Sequence, residues 1–113
     1  MPSLENLSPG VFFPKLLETT VELSGDSWNE IKLFAKHELK ILAVQIHEIG
    51  KAVLDGELSK KGAKMLFRMA KNNLISLLAG VSVMLLAAAQ RLINAILKEL
   101  KGYINNAIGF VLF

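Results

Sequence analysis

Glu30, His37, Glu38, His47 and Glu48 are the residues of this 113-residue chain whose types suggest chemistry, since carboxylates and imidazoles projecting inward are the ligand set of two-metal helical bundles. That chemistry needs a Glu-x-x-His pair, which places both ligands on one ion. Three residues after Glu30, Glu38 and Glu48 stand Leu33, Ile41 and Lys51 instead. On a helix His37 and His47 lie about 80° apart around the axis and ~15 Å apart along it, so one copy cannot bring both to one ion. The expectation is therefore no metal and no cofactor, with these side chains solvated or locally hydrogen-bonded. A metal site built from Glu30, His37, Glu38 and Glu48 across a dimer is the weaker alternative. Glu38 and Gln45, seven apart at the border of an apolar stripe, suit a polar layer across a symmetric interface.

A second group is basic. Lys61, Lys64, Arg68 and Lys71 are spaced three, four and three, which makes one stripe on a helix. The first reading of such a stripe is a solvated face paired with acids, here Glu48, Asp55 and Glu57 just across a turn. The second is an anionic membrane surface, because an apolar segment follows directly. Nucleic acid comes last: Phe67 is the one aromatic in the cluster and no recognition motif accompanies it. No nucleophile turn and no glycine-rich phosphate loop is present, so no catalytic residue is assigned and the chain is read as a non-enzyme. It contains no cysteine, which excludes disulfides and thiolate chemistry.

These residues need helices to position them, and the spacing supplies helices. Trp28, Ile31, Ala35, Leu39, Leu42, Ile46, Ile49 and Val53 recur at three- and four-residue steps, predicting an amphipathic helix over 27–54. Ser27-Trp28-Asn29-Glu30 reads as its capping box and Asp55-Gly56 as its end. Leu33, Ile41 and Val44 fall outside the stripe and imply a second contact surface. Ser59 is the expected N-cap of a long apolar helix over 59–101, bent or divided at its weak points, Asn72-Asn73 and Gly80. Residues 1–26 read as an arm with an extended lead-in and a short helix opened by Pro14, and 103–113 as an apolar helical segment. Arm and segment are both expected to dock on neighbouring copies.

The centre of the sequence is Leu74 to Ala89, sixteen residues without a charge. A helix built from it has no face that prefers water. At ~24 Å it falls short of the ~30 Å hydrocarbon layer, so burial in an oligomer outranks insertion in lipid. The mean hydropathy of +0.43 and apolar fraction of 52% are high for a chain that stays alone in water. Charge is split as well: residues 1–56 carry eight acids against five lysines, and residues 57–113 eight cations against two glutamates, so the halves attract.

The expectation from sequence is one all-α domain, an antiparallel helical hairpin completed as a bundle by oligomerisation. Its role would be structural or scaffolding through self-association, with Leu77, Gly80, Met84 and Ala87 at the central contact. A membrane-embedded or membrane-active helical protein with Leu74–Ala89 in lipid is the rival. With no signal peptide read at the N-terminus, the default location is cytoplasmic, with membrane association under the rival reading.

Overall fold

The computed structural model describes residues 4–81 and 84–113, and all the regular structure among them is helical. A 3-10 turn, Leu4–Leu7, precedes α1 (Pro9–Ser24); a second, Gly25–Ser27, leads into α2 (Trp28–Leu54), which is followed by α3 (Lys60–Val81) and α4 (Leu86–Ile108). The 27 residues of α2 account for ~40 Å at the usual rise, which is the long dimension of the molecule, 41 × 23 × 20 Å.

α1 packs on α2 and α4, and α3 packs on the same two helices, closing a ring of four. Neighbours run antiparallel. Near one end, Gly50 of α2 meets Leu4 and Ile108. Further along, Thr20, Ile31, Ala35, Leu74, Leu78 and Ile93, drawn from all four helices, meet around a small apolar cavity. The expected all-α class holds among the described residues, whose four α-helices pack in a ring.

The amphipathic stripe of α2 is buried as its spacing predicts, Ile31, Ala35, Leu39, Leu42, Ile46 and Ile49 all facing the core. Gly56, at φ +76°, closes that helix in a conformation that side chains rarely adopt, and the Glu57 amide donates back to the Ala52 carbonyl at 2.8 Å. Ser59 caps α3 as expected, its Oγ accepting from the Gly62 amide at 2.9 Å. Ser27 does not cap α2. It has helical backbone angles and makes no capping bond, because the chain enters through the 3-10 turn and the Trp28 amide donates to the Gly25 carbonyl.

Three boundaries differ from the sequence reading. α1 begins at Pro9 rather than Pro14, which lies inside it. An interior proline costs a helix about 3 kcal/mol, and burying Phe12 and Leu16 on the bundle offsets this at roughly 2 kcal/mol each. The long helix expected over 59–101 is two helices. It passes Asn72-Asn73, held by buried Leu74, Ile75 and Leu78, and ends after Gly80, with Leu85 extended before α4 starts. Gly102 breaks nothing, since α4 continues to Ile108 with Ile104, Ala107 and Ile108 buried, and stops at Gly109 with φ +93°.

The arm and the C-terminal segment, expected to lie on neighbouring copies, lie on their own chain. Leu7 and Phe12 are fully buried, the Tyr103 hydroxyl donates to the Asn6 carbonyl at 2.6 Å, and the Phe12 and Tyr103 rings stack. At the other terminus Leu112 is buried, and the Phe113 ring stacks on Phe67 with centroids 4.5 Å apart.

Candidate functional site

With its core closed within one chain, the molecule's functional candidates are on its surface. A groove of about 440 Å³ lies between α2 and α3. Ile49, Leu58, Leu66 and Ala70 contribute apolar walls, Met69 stands 63% exposed beside them, and Gln45, Glu48 and Asn73 supply the polar groups. On α3, Leu66, Met69, Asn73, Leu77 and Gly80 follow at three- and four-residue steps, so this side of the helix is uncharged along its length. Ile41 and Leu33 of α2 are exposed and Val44 is half-buried, which locates the three residues that fell outside the α2 stripe.

The uncharged side of α3 leads to the end of the bundle where α3 gives way to α4. No residue between Lys71 and Arg91 carries a charge. Of the four positions expected at the central contact, Leu77, Gly80 and Ala87 are exposed, while Met84 is half-buried against the core. Among the described residues, a Cβ built on Gly80 meets nothing within 4 Å. Leu85 and Leu86 stand beside them, 77% and 59% exposed. Leu77, Gly80 and Ala87, with Leu85 and Leu86, lie on the outside of the single chain as an apolar tip, while Met84 packs partly against its core. Ser82 and Val83, part of the sixteen-residue run, lie outside the described residues.

That run is divided between two helices that fold back on each other, so it does not form the single apolar helix considered for lipid. Among the described residues no helix is long and apolar enough to cross a membrane.

The basic stripe has a different neighbour from the one expected. Lys64, Arg68 and Lys71 line a pocket of about 380 Å³ with Phe67 and the C-terminal residues Val111, Leu112 and Phe113, and no carboxylate side chain shares it. Glu48 lines the groove on the other side of α3 instead. Lys61 is exposed one turn before Lys64, and Lys60 Nζ lies 5.7 Å from the centre of the Phe110 ring. Besides the burial of Leu112 and the Phe67–Phe113 stack, one side chain ties the segment down: Asn105 Nδ2 donates to the Phe113 carbonyl at 3.1 Å, and its Oδ1 accepts from the Leu112 amide at 2.9 Å. Sequence reading missed this clamp, and no spacing rule marks it. An asparagine four residues before a glycine acquires such a role only once the chain reverses.

The carboxylates and imidazoles of α2 stay apart. Glu30, His37 and Glu48 are exposed at separate levels, Glu38 and His47 are half-buried, and among the described residues no group of three or more His, Asp or Glu is placed to hold a metal ion.

The chain matches no protein-family model, no curated protein and no solved structure.

Proposed function

We propose that this protein acts without catalysis, as a structural or scaffolding element that associates with further copies of itself through the apolar tip and the adjoining side of α3. The observation that carries the reading is the exposure of Leu77, Gly80, Leu85, Leu86 and Ala87 on an otherwise closed bundle. A contiguous apolar patch on a closed fold marks an interaction surface.

Charge favours a second copy as the occupant. The chain carries a net +3, so two copies repel at long range. Between Lys71 and Arg91 they can meet without burying a charge. Gly80 and Ala87 add small side chains there, which let two helices approach closely.

Light scattering of the full chain in detergent-free buffer tests this. The expected mass is a multiple of 12.4 kDa. Leu77→Glu combined with Leu86→Glu should return it to a monomer with helicity unchanged, since neither side chain belongs to the buried core. Gly80→Leu should lower the mass without unfolding the chain, because Gly80 is exposed and a Cβ there meets nothing within 4 Å among the described residues. A wild-type mass of 12.4 kDa at every concentration would end the proposal.

A further inference from the structure

The pocket between α3 and the C-terminal segment combines two features that the self-association reading does not use. Lys64, Arg68 and Lys71 gather in one concavity with no carboxylate side chain among its lining residues. Three like charges held in a common hollow repel one another, and low-dielectric walls focus their field outward. A bound anion relieves both effects, and the planar guanidinium of Arg68 can offer two parallel N–H donors to a phosphate. Beside these cations, Val111 is 62% exposed on the segment that Asn105 clamps in place.

We propose that this pocket binds the phosphate headgroup of an anionic lipid at a membrane surface. Lys64, Arg68 and Lys71 take the phosphate, and Val111 with the edge of Phe113 meets the acyl boundary. The apolar wall decides between phosphate sources. It gives nothing to a free phosphate ion, whereas an exposed aliphatic side chain next to cations suits the boundary between headgroups and acyl chains. Nucleic acid fits less well. Phe67 is buried and stacks on Phe113 with an interplanar angle of 15°, which covers one face of the Phe113 ring and leaves the pocket at most one ring face for a base. The bundle stays folded on the surface and no helix enters the bilayer. The attachment is reversible, because one small apolar contact and a few cations hold it.

The test is co-sedimentation of the full chain with vesicles of phosphatidylcholine alone or mixed with phosphatidylserine, alongside calorimetric titration with inorganic phosphate. Binding is expected only to the mixed vesicles, weakening steeply with salt. Lys64→Gln combined with Arg68→Gln should weaken it about 25-fold, taking roughly fivefold for each cation at an anionic surface. Lys32→Gln combined with Lys36→Gln removes as much charge from exposed sites on α2 and should leave binding nearly unchanged. Val111→Ser should weaken vesicle binding with the fold intact. Equal binding to both vesicle types, or equal losses from the two double variants, would overturn the proposal. Inorganic phosphate held as tightly as the mixed vesicles would reassign the pocket to the free ion and end the lipid reading. Self-association is read by a separate measurement, so either proposal can fail while the other stands.

Discussion

Asn105 shows how much of this structure depends on single side chains whose role has no local signature. Its amide holds both Leu112 and Phe113, and through them the wall of the basic pocket. Asn105→Ala removes both bonds, each worth about 0.5–1.5 kcal/mol net. The expected outcome is a loss of roughly 1–3 kcal/mol in chemical denaturation and faster hydrogen exchange at the Leu112 amide; unchanged protection there would refute the clamp. Two serines make the complementary point. Ser59 and Ser27 both carry a capping pattern, yet only Ser59 accepts a bond from the helix it precedes. Ser59 ends a five-residue connection with room to leave the helical path, whereas a 3-10 turn already winds the backbone at Ser27. The same residue type is read correctly where the chain is free to turn and wrongly where a preceding turn dictates its dihedral angles.

Among the elements, α2 is the best specified by sequence. Its stripe and its glycine end describe one amphipathic helix, and burial follows the stripe. α1 is specified against its own local preference, since the helix carries Pro14 in its interior because Phe12 and Leu16 must reach the core. Pro14 is exposed, so Pro14→Ala restores a backbone donor and relieves the ring at little loss of packing. Gain of unfolded-chain entropy offsets part of that benefit. The expected net result is a stabilisation of about 1–2 kcal/mol in urea denaturation, and a destabilised variant would show that the proline is accommodated without strain. The division between α3 and α4 follows the same logic. Buried Leu74 and Leu78 carry α3 through Asn72-Asn73, and the helix ends at Val81, just past Gly80.

For the whole molecule, the four helices bury a continuous core within one copy, and among the features left exposed are an uncharged tip, where α3 gives way to α4, and a basic pocket between α3 and the C-terminal segment. The proposed association through the tip would stabilise the folded state by mass action. The melting temperature of the wild-type chain should therefore rise with protein concentration, while that of Leu77→Glu with Leu86→Glu should not. A wild-type melting temperature that stays constant across a wide dilution series would contradict self-association.

The sequence by itself determined the class of the fold and the helix best marked by its own pattern. It also determined that Leu77, Gly80 and Ala87 belong to a stretch without charge. These are local properties: periodicity, capping residues and the absence of cations are written within a few turns of chain. Only the tertiary structure decided that the apolar run folds into two helices and that the arm and the C-terminal segment close the bundle on their own chain. It alone brought Val111 and Phe113 beside the stripe from Lys64 to Lys71, some forty residues earlier in the chain. Burial is a contest among all the apolar faces of the chain at once, and its outcome depends on contacts between residues far apart in sequence that no local pattern records.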